Sequence, residues 1–371
     1  MKKRWLLLSL ATVFLFVGAG CVSLSSNKPK TTGTAGIYAS SDRGDSWQVI
    51  SNLVTAEGIK SISNVNIYKI FTDPQDPQAM YLGTRENGLF YTYDGGRSWQ
   101  RPASSAVSNG FIYSIAVHPQ DKCTIMATNG RQVFKTIDCS RSWEEVYRES
   151  RSNVLIYSLA YNYATSYRLY LAESNGDVLQ TSDGGNSWSV ANRFRTRLSE
   201  IYTDKFDGNV IYVVTRENGL YRSEDEGTTW VSLQDKMKNF SGSSEYRRFV
   251  MSATTPNKIY WISTYGVLVS MDRGDSWQAM KLITPPGSAD IYGFAVNPKN
   301  ENEIYYTATI NSRSTFYKSI DGGENWVTKK LPTGQLPVTM LVHPEKENLI
   351  YLGFTVPPQS KSNSSNAFLS N

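Results

Sequence analysis

The chain has 371 residues, 12% of them aromatic, with a formal net charge of +5, three Cys and only two His. So mild a charge points toward anionic partners or a membrane surface without identifying nucleic acid, and the sequence holds no HExxH motif, Cys ligand cluster or nucleotide-binding Gly loop. A single hydrophobic core normally splits at this length, so internal repeats are sought before domains.

Residues 1–20 read as an export signal. Lys2, Lys3 and Arg4 are followed by an apolar run from Trp5 to Val17, the small residues Gly18, Ala19 and Gly20, and then Cys21. A basic start, a short apolar core and a small-residue cleavage site define a secretory signal, and the run is too short for a comfortable membrane span. Cys directly after small residues resembles the lipobox of bacterial lipoproteins, with Gly18 where Leu is usual. The resemblance implies that Cys21 carries lipid and that the exported protein is anchored at the cell envelope, each buried methylene contributing about 0.8 kcal/mol. Residues 21–34 are rich in Ser, Thr, Lys and Asn and read as a flexible tether. Residues 35–356 form the folded part, and 357–371 read as a disordered tail.

From residue 40 onward one pattern recurs seven times: Ser or Thr, any residue, Asp, any, Gly, any, any, Trp. Its copies are centred on Asp42 and Trp47, Asp94 and Trp99, Asp138 and Trp143, Asp183 and Trp188, Asp225 and Trp230, Asp272 and Trp277, and Asp321 and Trp326. Only the third departs, with Ser140 in place of Gly. Successive aspartates are 42 to 52 residues apart, the period of one four-stranded propeller blade. An Asp carboxylate can accept hydrogen bonds from the backbone of its own turn, Gly supplies positive φ, and Trp is a large anchor whose indole N–H needs an acceptor. Seven equivalent copies make these aspartates structural, not catalytic.

The pattern resembles the Asp-box, or bacterial neuraminidase repeat, superfamily. Its members include sialidases, sortilin-type receptor domains, xyloglucanases and the photosystem II assembly-factor family. The resemblance implies an all-β, seven-bladed propeller of four-stranded antiparallel blades. It does not imply one chemistry, because these members share architecture alone.

Strand signals agree with that fold. An inner strand recurs at Ile67–Phe71, Ile112–Val117, Ile156–Ala160 and Ile291–Val296, with weaker copies at Ser199–Thr203, Phe249–Thr254 and Val338–Val342. A second strand follows each, and Asn-Gly turns at residues 87–88, 129–130, 175–176 and 218–219 lead into the third. The first box has no strand pair before it, and the pair at 338–352 has no box after it. Joined, they complete one blade and remove exposed edges, which predicts that Ile37–Ser40 pairs beside Tyr351–Phe354. Cys123, after the first strand of its blade, and Cys139, in the box turn, emerge at the same end, which predicts a disulfide worth about 3 kcal/mol. Tyr68, Tyr113, Tyr157 and Tyr292 recur at one inner-strand position and are expected to pack between blades. His118 and His343 occupy equivalent positions before Pro and are expected to serve strand-end packing.

No catalytic, cofactor or metal residues are assigned. A sialidase would need a Phe-Arg-Ile-Pro motif and an Arg triad, and the motif is absent. The segments Tyr81–Leu89 and Thr215–Leu220 look like repeat segments of xyloglucanases, and Asp73, Glu86, Asp204 and Glu217 are carboxylates a glycosidase could use, though each fits a turn. Those enzymes pair two propellers. The expected function is therefore an anchored, monomeric binding or scaffold propeller for a protein partner, with polysaccharide binding or hydrolysis as the alternative. Arg193, Arg195, Arg197, Arg216, Arg247 and Arg248 are the candidate contacts, as a basic patch for an acidic protein segment or lipid head groups. Arg222 and an insert at residues 234–245 fall beside them in sequence.

Overall fold

Each repeat folds as an antiparallel meander whose central strands are buried on both faces. Met80–Thr84, Leu169–Glu173, Ile211–Thr215 and Ile259–Ser263 are buried at every position, as β-branched and aromatic runs demand between packed sheets. The computed structural model describes residues 32–357. The expected signal, the Cys21 lipid site and nearly all of the expected tail lie outside the described residues.

Blade 1 contains Ile67–Thr72, Met80–Thr84 and Leu89–Thr92, with the outer position held by the Tyr91↔Gln100 bridge. Blades 2 to 6 are four-stranded sheets whose innermost strands begin at Ser114, Ile156, Leu198, Tyr246 and Phe294. Blade 7 combines the two ends of the fold. Leu336–Val342 and Ile350–Thr355 pair with Gly36–Ser40 and Gln48–Val49, in the register Ile37↔Gly353 and Ala39↔Tyr351. The expected closure is therefore present. Among the described residues seven apolar clusters form the core, one between each pair of neighbouring blades.

The meander fixes two ends of the ring. Turns between first and second strands, and the box turns between third and fourth, share one end, called here the box end. In every box the Ser or Thr hydroxyl accepts from the N–H of the Gly position at 2.7–3.1 Å. One Asp oxygen accepts from the backbone N–H four residues on, at 2.8–3.0 Å. The other accepts from that residue's side chain. These donors hold the aspartates below the usual carboxylate range; at Asp138 the Ser142 hydroxyl leads, bringing it to about 2. Ser140 adopts φ +71 and its neighbour Cys139 φ +59. Cys139 is joined to Cys123 by a disulfide with Cα atoms 4.0 Å apart. Cys123 lies in the second strand, which starts at Asp121, and not in the loop before it.

Two expectations about local packing change. The indoles of Trp99, Trp230 and Trp326 donate to backbone carbonyls, but those of Trp47, Trp143, Trp188 and Trp277 have no acceptor among the described residues. His118 and His343 do more than pack. Their Nδ1 atoms accept from the backbone N–H groups of the following turn, the task Asp73, Asn162, Asp204, Ser252 and Asn297 perform in the other blades.

A hairpin of Asn52–Thr55 and Gly58–Ser61 precedes blade 1. It runs beside the outer segment of that blade, with Val54 N–H donating to the Trp99 carbonyl at 2.9 Å.

Candidate functional site

The innermost strands carry a repeated irregularity. In blades 1, 3, 4, 5 and 7 the pairing register shifts across Ile67/Lys69, Ile156/Ser158, Leu198/Glu200, Tyr246/Arg248 and Pro337/Thr339. A β-bulge leaves one residue unpaired and re-aims its side chain. The skipped residues are Tyr68, Tyr157, Ser199, Arg247 and Val338, and all five line one cavity of about 830 Å³ at the ring centre. Tyr113 and Tyr292, at the equivalent positions of blades 2 and 6, line it as well. Each blade thus contributes one side chain from this position.

The four tyrosines are therefore not simple inter-blade packing residues. Tyr68, Tyr113 and Tyr157 form one wall of the cavity while touching across blades, Tyr113 lying 5.5 Å from Tyr157 and 6.5 Å from Tyr68 with Phe111 stacked on it at 4.0 Å, and Tyr292 lines the cavity beside Arg247 at 6.0 Å. Opposite each other at the mouth stand two turns of the same sequence, Thr84–Gly88 in blade 1 and Thr215–Gly219 in blade 4. In each the Thr hydroxyl donates to the Gly carbonyl and accepts from the Asn N–H. The turns present Arg85 with Glu86, and Arg216 with Glu217, to the cavity. Arg85 lies 5.7 Å from the Tyr68 and Phe111 rings. Among the described residues, Arg216, Glu86 and Glu217 make no side-chain hydrogen bond or ion pair.

A polar plug closes the floor. Lys69 of blade 1 pairs with Glu200 of blade 4 at 2.7 Å, and the Tyr202 hydroxyl donates to the same carboxylate. Arg248 donates to the Tyr292 and Val338 carbonyls, each at 2.6 Å, and so ties blade 5 to blades 6 and 7. Burial pushes the Glu200 carboxyl up, but Lys69, Tyr202 and Arg248 together outweigh it and hold the group below its usual range. A second cavity of about 550 Å³ opens at the box end and shares Arg248 as its partition.

The six candidate arginines do not form one patch. Arg216, Arg247 and Arg248 line the central cavity. Arg193, Arg195 and Arg197 are exposed outside it, on the segment between blades 3 and 4. Arg222 is buried at the opposite end, where it donates to the Arg273 carbonyl and Asp275. The insert at 234–245 is a cover rather than a contact loop: Met237 is buried in the core between blades 4 and 5, and the Ser243 carbonyl accepts from the Trp261 indole. The four candidate carboxylates also separate. Asp73 and Asp204 cap turns at the box end, while Glu86 and Glu217 are exposed at the cavity mouth. Beside blades 2 and 3, Arg151 bonds Glu149, Glu173 and Asp177 at 2.6–2.8 Å. Burial and the neighbouring Glu149 push the Glu173 carboxyl up to about 8, whereas Arg151 draws Glu149 down to about 2. No group of three or more His, Cys, Asp or Glu among the described residues could hold a metal ion.

Sequence reasoning missed Lys69 and Glu200 of the plug, Tyr246, which lines the cavity, and Phe111, stacked on Tyr113. The repeated Ile-Tyr pairs were the only signal that could have pointed to the first strand as the site wall.

Comparison with known proteins gives two family matches. The model described as photosynthesis system II assembly factor YCF48 matches residues 135–349. The model described as sortilin, neurotensin receptor 3, matches residues 35–171. Among curated relatives, vacuolar protein sorting/targeting protein 10 of Schizosaccharomyces japonicus is 31% identical over 74 residues, 19% of this chain and 5% of that protein. A Paenibacillus xyloglucanase is 25% identical over 190 residues, 46% of this chain and 16% of that enzyme. The chain thus spans a small fraction of these relatives. Among solved structures, YCF48 bound to D1 peptide superposes with a TM-score of 0.59 at 16% identity, over 78% of this chain and 94% of that one. The GH74 enzyme of Niastella koreensis superposes with a TM-score of 0.62 at 16% identity, over 78% of this chain and 51% of that one. At such identities these structures establish the shared fold.

Proposed function

We propose, because the chain belongs to the family described as photosynthesis system II assembly factor YCF48, that it is a binding propeller whose central cavity receives an extended segment of a protein partner. The observation that carries this reading is the ring of re-aimed side chains. Tyrosines at four of seven positions offer large apolar faces at low entropic cost. Among the described residues Arg216 has no side-chain partner and Arg85 lies only against ring faces, so both are available to carboxylates in the bidentate geometry that guanidinium favours. A blind cavity on a rigid scaffold suits a chain end or a few side chains. The solved relative with a D1 peptide is a precedent for peptide binding by a propeller of this family. In this reading the protein acts as an exported monomer, held at the envelope by lipid on Cys21, and its partner is a membrane or envelope protein.

The test is photo-crosslinking in native membranes from a probe at Tyr157 in the cavity, with a probe at the exposed Ile137 of the box end as control. A single adduct from Tyr157, lost with Arg216→Glu or Tyr113→Ala while the melting temperature is kept, is the expected result. The same adducts from both probes, or adducts indifferent to both substitutions, sink the proposal.

One observation favours a second reading. Glu86 and Glu217 share the cavity with the tyrosine wall, and aromatic rings beside carboxylates are what a polysaccharide site uses. Both carboxylates are exposed, whereas a glycosidase acid is held in a desolvated pocket, so this reading ranks second. Release of reducing ends from xyloglucan, abolished by Glu217→Gln, would move it to first.

A further inference from the structure

The mouth of the cavity lies at the end of the ring opposite the boxes, and three other features share that end. The first is the segment between blades 3 and 4. Arg193, Arg195 and Arg197 alternate there with residues turned inward; Phe194 packs on Tyr221 and Trp230 at 5.0 and 5.2 Å. The three guanidinium groups are thereby left on the outside. Arg193 is 72% exposed, with only a 3.7 Å contact to Asp177, and the side chains of Arg195 and Arg197 pair with nothing among the described residues.

The second feature is the hairpin beside blade 1. Its first strand runs parallel to the outer segment of that blade, which leads from the box end to the cavity end, so the tip at residues 55–58 points the same way as the mouth. Val54 and Ile59 are direct cross-strand partners, and they are 51% and 74% exposed. The third is the entry of the chain. The Thr32 carbonyl accepts from the Gly334 N–H at 2.8 Å and the Gly33 carbonyl from Gln335 at 2.9 Å, in the loop between blades 6 and 7 at the cavity end.

These three points lie round the ring, at blade 1, blades 3–4 and blades 6–7, and so define a plane across the mouth. The opposite end carries the seven box aspartates, together with Asp45, Glu224 and Asp275. Arg97 and Arg141 are exposed among those box carboxylates, and Glu86 and Glu217 are exposed at the mouth, but the run of three unpaired or nearly unpaired guanidinium groups at residues 193–197 stands at the cavity end. We infer that the cavity end rests on an anionic lipid surface, with Arg193, Arg195 and Arg197 against the head groups and the Val54–Ile59 tip at their level. Exposed Arg on one side and, on the other, the exposed Val54–Ile59 pair behind a tip whose Glu57 is neutralised by Lys60 at 2.5 Å are what an anionic interface recognises. The expected anchor fits the same orientation: eleven Cα-to-Cα steps lead from Cys21 to Thr32, a reach of at most about 40 Å. The cavity then opens toward the bilayer, where a segment of a membrane protein emerges. The lipid contact stands apart from what the cavity takes, and the test separates the two.

The chain from residue 32 onward contains the whole closed ring and has no lipid site, so its binding reads the surface alone. It is floated with vesicles of phosphatidylcholine, or of phosphatidylcholine with phosphatidylglycerol. The expected result is binding to the anionic vesicles only, weakened by salt. Each arginine changed to Ala should lower the partition coefficient about fivefold, so the triple variant Arg193→Ala/Arg195→Ala/Arg197→Ala loses about a hundredfold. Ile59→Asp should also weaken binding, and Ile137→Asp, at the box end, should not. Tyr113→Ala alters only the cavity wall and should leave vesicle binding intact even where partner capture is lost. Absence of binding to anionic vesicles, equal binding to both vesicle types, or a triple variant that binds like the parent overturns the inference. In the last case an acidic protein surface becomes the occupant to seek.

Discussion

Lys69 of the first blade meets Glu200 of the fourth at 2.7 Å, joining by charge two innermost strands that share no backbone hydrogen bond. Both side chains are mostly buried, so removing one leaves the other charged and poorly solvated. Lys69→Met should cost about 2–3 kcal/mol of stability. The double variant Lys69→Met/Glu200→Leu should lose less than that single variant, since it strands no charge. Urea unfolding of the cycle measures the coupling, and additive losses would mean that the pair acts independently. The sign with pH follows from the lowered Glu200 value. The contribution is complete above the unfolded carboxylate value of about 4.3 and is lost as pH falls through the folded one.

His343 and His118 cap their turns through Nδ1, and both are held below the ordinary histidine value, by burial first and then, respectively, by Lys346 and Lys135. Asp121 and the Ser166 backbone oppose this at His118, and Glu345 opposes it at His343. A depressed folded value means that stability is intact above pH ~6.5 and falls as the unfolded chain takes up protons below it. Asn performs the same capping task at Asn162 and Asn297. The variant His118→Asn/His343→Asn should therefore keep its melting temperature at pH 7.5 and lose less of it at pH 5.5 than the parent. A parallel decline in both proteins would remove histidine as the source.

Ser140 holds a positive φ, and its buried hydroxyl lies beside the Tyr93 hydroxyl. Ser140→Gly should stabilise the fold by about 1 kcal/mol, because Gly adopts that conformation without strain. Cys139→Ser opens the 16-residue link to Cys123 and should cost about 3 kcal/mol. Differential scanning calorimetry of both decides the matter. A destabilised Ser140→Gly protein would show that the hydroxyl's contact with Tyr93 outweighs the relief of backbone strain.

Glu173 keeps its proton up to about pH 8, above its unfolded value of about 4.3. For a carboxyl shifted in this direction the stabilising contribution is full below the unfolded value and is lost as pH rises toward 8. Glu173→Gln mimics the protonated form and should flatten the decline of stability between pH 6 and 9. Chemical denaturation at those two pH values provides the check, and an unchanged slope would place the proton elsewhere in the Glu149–Arg151–Asp177 group.

The boxes and the closure were legible because their residues act locally and in fixed order. Asp42 bonds Ser46 four residues away, and that relation is written in the chain seven times. The unpaired strands at either end could be matched by simple counting. The cavity was not legible for a different reason. Strict alternation assigns Tyr68 and Tyr157 to a packed face, and only the register shift beside each turns it to the axis. Lys69 and Glu200 lie 131 residues apart, and nothing near either announces the other. Arg222 sat among the other arginines in sequence but on the wrong end in space, because one strand is long enough to carry a side chain from mouth to box.

The shared seventh blade also sets a timetable. The pair Gly36↔Phe354 spans 318 residues (354 − 36). At a synthesis rate of ~5–20 residues per second the first strand waits roughly 15–60 s for its partner. Six blades can assemble in that interval, yet the strand at Gly36–Ser40 keeps an unpaired edge until nearly the last described residue has been made. Completion of the ring is thus a proofreading event on length: a chain interrupted before Ile350 holds every box and almost every cavity residue, and still presents an open seam to proteases and to other open strands.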